Sequence, residues 1–263
     1  MSASYTGTVA SPATFCAPPL ALMGLEPMRA LFEYVHTGLM DRSRLPQGDG
    51  HPVVLFPGLG ADAMALEPLR RLCCDLGYAA CDWGHGCNTG PRGAVEDWLD
   101  QLTDCVARTV ARHGRSASLV GWSLGGIYAR EIARRRPALA RQVITLGTPF
   151  AGRGEHTNVG VIYQMLSGRR PEIDESLLAR LAATPPVPTT SIYSRSDGVV
   201  AWQACREAED APQAENVEVQ ASHIGLVWHS RVWSVVADRL AQPQGQWRRY
   251  AGAGAAAGTL RAH

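Results

Sequence analysis

The spacing of apolar residues changes several times along this chain, and each change marks an element. The run Pro52-Val53-Val54-Leu55-Phe56 is unbroken and stops at Pro57-Gly58. Such a run fits a strand covered on both faces, as in a parallel sheet. Residues 25–40 carry Met28, Leu31, Phe32, Val35 and Leu39 at helical spacing, which predicts a helix packed on the outside of the core. Helices are also predicted at 66–76, at 94–113 with Val95, Trp98, Leu99, Leu102, Val106 and Val110 on one face, and at 127–136, 175–183 and 225–240. Strands are predicted at 78–83, 119–122, 143–146, 190–193 and 217–219. Alternating strands and helices imply an α/β fold with right-handed crossovers. The expected core is a mostly parallel sheet of six strands flanked by helices on both faces.

Two stretches break this alternation. Residues 152–186 form a cap-like insertion between two strands, and its apolar residues include Tyr163 and Met165. From residue 244 onward the chain becomes rich in Gly and Ala, which predicts a flexible tail. The expected organisation is therefore an N-terminal arm and helix (1–50), an α/β domain (51–243) and a tail (244–263).

Composition narrows the function classes. Apolar residues make up 46% of the chain and charged residues 19%, enough apolar material for a large core. The net charge of +1 gives no electrostatic case for a nucleic-acid partner. The seven cysteines are odd in number and include no C-x-x-C pair, so neither a disulfide framework nor a metal site is expected. The N-terminus lacks a basic stretch ahead of an apolar one, and the apolar residues at 20–25 are too few to span a bilayer. Neither a secretory signal nor an integral membrane segment is expected, and the cytoplasm is the expected location.

The chemistry lies in Gly121-Trp122-Ser123-Leu124-Gly125-Gly126. A short apolar strand runs into Gly-x-Ser-x-Gly and a helix-forming segment follows, which is the context of a nucleophile elbow. The two glycines admit the tight turn that lifts the Ser123 hydroxyl off the sheet edge. A serine hydroxyl is a poor nucleophile at neutral pH and needs a base, itself oriented by a third group. Elbow folds place these partners in the order Ser, acid, His. Asp197 follows the strand at 190–193, whereas Asp174, Glu207 and Asp210 have no strand just before them. His223 follows the strand at 217–219; His229 falls within the next helix, and His85 precedes the serine. Acyl transfer also needs backbone N–H groups preplaced for the oxyanion. The expected donors are the amides of Leu124, just after the nucleophile, and Leu59, between Gly58 and Gly60.

These motifs resemble the α/β-hydrolase superfamily, within it lipase- and esterase-like members of bacterial type. The resemblance rests on the elbow, Phe56-Pro57-Gly58-Leu59-Gly60, Leu146-Gly147-Thr148-Pro149, the loop from Tyr193 through Asp197 to Val200, and Ser222-His223-Ile224-Gly225-Leu226, and covers residues 51–242. The elbow is also similar to that of pimeloyl-carrier-protein methyl ester carboxylesterases, which commonly carry Trp before the nucleophile. Pro57-Gly58 stands where many lipases have His-Gly, and the family's two leading antiparallel strands are missing from the pattern.

The resemblance implies a serine hydrolase of carboxylic esters with catalytic residues Ser123, Asp197 and His223. Its oxyanion hole would be Leu59 and Leu124, and Trp122, Tyr163 and Met165 would contact the substrate. It would act on a small-molecule or lipid-like ester with no metal or organic cofactor. An acyltransferase or thioesterase with the same triad, or a non-catalytic binding protein on the same fold, are the alternatives.

Overall fold

A computed structural model describes residues 17–151, 175–209 and 211–252. The apolar runs become strands β1 (Pro52–Phe56), β2 (Ala79–Asp82), β3 (Ala117–Trp122), β4 (Ala140–Leu146), β5 (Thr189–Ser194) and β6 (Ala214–Val219). They form one six-stranded sheet in the order β2-β1-β3-β4-β5-β6, and every neighbouring pair is parallel. The helices are α1 (Leu20–Thr37), α2 (Ala63–Asp75), α3 (Val95–His113), α4 (Leu124–Arg135), α5 (Glu175–Ala182) and α6 (Ser230–Leu240). Among the described residues no strand precedes β1, and no helix is long and apolar enough to cross a membrane.

Alternation along each strand sends side chains to two cores. Val53, Leu55, Val120, Trp122, Ile144, Leu146 and Ile192 face one side, where Leu69 and Leu72 of α2 and Val232, Val236 and Leu240 of α6 cover them. Val54, Phe56, Leu119 and Val143 face the other, against Leu99 and Leu102 of α3 and Ile127, Tyr128 and Ile132 of α4. Being buried on both faces explains why these strands read as continuous apolar runs. In register, Phe56 lies opposite Gly121, Trp122 opposite Leu146, Leu146 opposite Ile192, and Ser194 opposite Val219. The C-terminal ends of β1, β3, β4, β5 and β6 therefore open onto one edge of the sheet, where such folds place their ligands.

Three features differ from the sequence expectation, and a fourth, at the end of the insertion, adds to it. The helix at 225–240 is broken: a short 3-10 turn spans Gly225–Val227, and His229 lies outside α6 as its N-cap, its Nδ1 accepting from the Arg231 N–H at 3.2 Å. The tail is docked as far as Tyr250, whose N–H donates to Glu215 at 2.5 Å, while Arg239 donates to the Arg248 carbonyl at 2.5 Å. The last part of the 152–186 insertion packs on α4, where Arg130 donates to the Ala183 carbonyl at 2.9 Å. Finally, α1 packs through its polar edge. Glu26 is buried, whereas Met28, Leu31, Phe32, Val35 and Leu39, expected to face the core, are exposed.

Candidate active site

β3 ends in a turn with little steric room. A Cβ on Gly121 would meet the backbone of Gly126, and one on Gly125 would meet the Phe56 carbonyl. Ser123 sits between them at φ 52°, ψ −122°, and among the described residues no other non-glycine has a positive φ. A conformation of that kind costs about 1–3 kcal/mol and persists only where the surroundings impose it. Here the Ser123 N–H is held by the Leu146 carbonyl at 2.9 Å, and α4 begins at the next residue. The serine is thus fixed above the sheet edge at a helix N-terminus, where partial positive charge gathers.

The loop after β1 passes directly over this turn. A Cβ on Gly58 would come within 3.2 Å of the Ser123 Cβ. Asn88, fully buried on the loop after β2, staples the passage in place. Its side-chain amide donates to the Pro57 carbonyl at 2.7 Å, its own carbonyl accepts from the Gly60 N–H at 2.7 Å, and its N–H donates to the Ala61 carbonyl at 2.8 Å. The Leu59 N–H lies between these anchors without a backbone partner among the described residues. The Leu124 N–H, first in its helix, has no carbonyl one turn back to donate to.

Asp197 and His223 come together across β5 and β6. His223 Nδ1 lies 2.6 Å from Asp197 Oδ2, with both residues buried. Asp197 Oδ1 accepts from the N–H groups of Val199 and Val200 at 2.8 and 2.7 Å. A carboxylate so engaged can only accept, so Nδ1 carries the proton and the lone pair of the neutral ring is on Nε2. Gly147, at φ 54° after β4, lies beneath the pair: a Cβ there would be 3.2 Å from both Asp197 Oδ2 and His223 Nδ1. Burial works to lower the His223 pKa, but the charge and hydrogen bond of Asp197, with the charge of Glu26 behind them, carry it above the ordinary histidine value.

Trp122, expected against substrate, is 9% exposed. Its indole N–H donates to the His223 carbonyl at 3.0 Å, and its ring lies 5.6 Å from the imidazole, centre to centre. Trp122 thus links the elbow to the histidine loop, although among the described residues no hydrogen bond joins the Ser123 hydroxyl to the ring. Tyr163 and Met165 lie outside the described residues. Among the rival acids, Glu207 is taken up by Arg130 and by the Thr184 hydroxyl at 2.7 Å, and Asp174 and Asp210 lie outside the described residues. Among those described, no group of three or more His, Cys, Asp or Glu side chains is placed to hold a metal ion.

A second acid–histidine–serine arrangement sits at the opposite edge of the sheet. His51 Nδ1 lies 2.5 Å from Asp49, and its Nε2 lies 2.8 Å from the Ser118 hydroxyl. His51 and Ser118 are fully buried, and Ser118 lies within β3 rather than at a turn. With the histidine and the serine closed off from solvent, this is a satisfied polar knot that runs from the core to Asp49 at the surface. Side-chain identity and spacing alone would not separate it from the edge site; exposure and backbone conformation do.

The profile of the alpha/beta hydrolase family matches residues 53–260, and the chain belongs to that family. Over 133 residues it is 26% identical to the pimeloyl-[acyl-carrier protein] methyl ester esterase of Shewanella woodyi, covering 49% of each chain. The chain spans about half the length of the curated relatives it matches. The fold is similar to Aspergillus fumigatus lipase B (TM-score 0.58, 16% identity, 76% of this chain and 55% of that one). It is similar also to the mature Bacillus licheniformis lipase BlEst2 (TM-score 0.56, 17% identity, 76% and 95%).

Proposed function

We propose that the protein hydrolyses carboxylic esters through an acyl-enzyme formed on Ser123. The observation that carries this reading is the buried 2.6 Å contact between Asp197 and His223, on the same sheet edge as a serine held at positive φ at a helix N-terminus and tied to it through Trp122. The esterase named among the relatives supports an ester as substrate.

In this mechanism His223 Nε2 takes the Ser123 proton as the hydroxyl oxygen attacks the acyl carbon. The N–H groups of Leu59 and Leu124 receive the resulting oxyanion. The intermediate collapses as the imidazolium protonates the departing alcohol. Water, deprotonated by the same Nε2, then attacks the acyl-enzyme; collapse releases the acid and returns the proton to Ser123. Asp197 fixes the ring tautomer and stabilises the cation throughout.

Fluorophosphonate labelling with mass spectrometry tests the reading. The expected result is one adduct per chain on Ser123, absent in Ser123→Ala and strongly slowed in His223→Ala, together with turnover of p-nitrophenyl esters. A folded wild-type protein that takes no adduct refutes it. Added alcohol or thiol acceptors separate hydrolysis from acyl transfer, because a transferase would give acylated acceptor in place of free acid.

A further inference from the structure

Helix α1 meets the domain with charge, and each of its charges lands beside a site residue. Glu26 is 2% exposed. Its Oε1 accepts from the Gly198 N–H at 2.7 Å, and its Oε2 accepts from the Ile224 N–H at 3.2 Å. Those are the residues that follow Asp197 and His223. The residues that precede them are held from the same helix. Arg29 donates to the Ser196 carbonyl at 2.6 Å and hydroxyl at 2.9 Å. Glu33 accepts from the Ser222 N–H at 2.8 Å and hydroxyl at 2.6 Å. Both loops are thus gripped on either side of the pair, and one carboxylate, that of Glu26, spans the two.

Two glycines show that the loops are shaped for this helix. A Cβ on Gly198 would lie 2.6 Å from the backbone of Leu22, and one on Gly225 would run into the Glu33 carboxylate. Neither has a positive φ, so at each position the need is for space rather than for backbone freedom. Hydrophobic burial does not explain the docking, since the apolar face of α1 points outward.

We propose that Glu26 is a positioning residue that fixes the Asp197–His223 pair by bridging the backbones of its two loops, making α1 a working part of the site. The proposal rests on the triad reading above. The charged groups facing His223 are Asp197 from the loop after β5 and Glu26 from α1, and both favour its protonated form; Arg29 lies 3.6 Å behind Glu26. Glu26 therefore acts on both geometry and charge.

The test compares wild type, Glu26→Gln, Glu26→Asp and Glu33→Gln. Rates on a short p-nitrophenyl ester are normalised to active sites titrated with fluorophosphonate. Glu26→Gln keeps one acceptor but turns an amide N–H₂ toward a backbone donor. The expected loss in kcat is about 10- to 100-fold with KM nearly unchanged, the scale of a small misplacement of catalytic groups. The acid limb of kcat/KM should move to lower pH, because a negative charge near the imidazolium is gone. Glu26→Asp should lose rate but keep the wild-type acid limb, and serves also if the Gln variant does not fold. Glu33→Gln, which loosens the helix without facing His223, should leave the acid limb in place. A wild-type rate and acid limb in Glu26→Gln overturn the proposal, as does a loss that disappears on normalisation. If wild type takes no label, the hydrolase reading fails separately. The NMR titration midpoint of His223 in wild type and Glu26→Gln then still decides whether Glu26 is coupled to it: a lower midpoint supports the coupling and an equal one overturns it.

Discussion

Glu207→Ala should destabilise the protein strongly while leaving its chemistry intact. Arg130 and Glu207 are an ion pair with relative side-chain exposures of 1% and 0%. Burial lowers the Arg130 pKa to about 10 even with Glu207 opposing, so the guanidinium is still charged at neutral pH. Removing one partner of a buried pair costs about 3–5 kcal/mol, because the other charge stays out of water. Three contacts remain to Arg130 after the change: the Ala183 carbonyl at 2.9 Å, the Leu181 carbonyl at 3.4 Å and the Phe150 ring, whose centre lies 3.5 Å from the guanidinium carbon. These place the expected loss at the low end, about 3 kcal/mol. For a domain of this size that corresponds to a fall in Tm of about 6–12 °C. Replacing both partners, Arg130→Met with Glu207→Leu, should recover most of the loss, since a buried pair is often no better than apolar residues of similar volume. Urea and thermal unfolding of Arg130→Met, Glu207→Leu and the double variant, measured beside Glu207→Ala, complete a double-mutant cycle. The rate per titrated active site should stay at the wild-type value, because neither residue touches Ser123, Asp197 or His223. Single variants that each lose less than about 1 kcal/mol would refute the reasoning, showing that the pair is solvated rather than buried.

Two further outcomes follow from the same kind of argument. Asp197→Asn keeps the shape but can donate to Nδ1, favouring the tautomer that leaves Nε2 protonated; kcat should fall about 10,000-fold with little change in Tm, and a loss below tenfold would remove Asp197 from its assigned part. Acidification should weaken the knot around His51. Burial, opposed by Asp49 and helped by the charges of Arg141 and Arg115, lowers the His51 pKa below its ordinary 6.5. The native state therefore resists a proton that the unfolded chain accepts, so stability is full above about pH 6.5 and falls as pH drops toward the native value. The wild type should lose more Tm than His51→Gln between pH 7.5 and 5, and equal losses would sink the assignment.

The sheet and the positions of the loops carrying Ser123, Asp197 and His223 were legible because their signals are local. β1, β3 and β4 are apolar on both faces, and a strand that must fill two cores announces itself within five or six residues. Likewise the elbow depends on glycines whose reasons lie within a few residues of Ser123. β5 and β6 were only partly legible, since Thr190 and Glu215 are polar yet buried. They satisfy one another at 2.8 Å, and Arg239 donates to Glu215 at 2.9 Å. A partner in another strand or helix leaves no mark on the periodicity of the segment itself.

The same limit hid the parts that organise the site. Asn88 lies in a loop with no pattern of its own, and its role exists only because Pro57, Gly60 and Ala61 fold back against it. In α1 the apolar rhythm pointed the wrong way. Hydrophobic spacing decides a helix's orientation only when apolar burial outweighs the polar contacts available to its other face. Here Glu26, Arg29 and Glu33 satisfy backbone and hydroxyl groups of loops far along the chain. A buried donor left unpaired costs about 1–3 kcal/mol, more where the partner is charged. Several such groups at one surface can outweigh the transfer of four or five partly exposed side chains, each worth about 1.5–3 kcal/mol at full burial. The helix therefore turns its charges inward. The visible trace of this in the sequence is three charged residues at helical spacing within an otherwise apolar stretch, and such a trace is best read as a line of contacts awaiting partners.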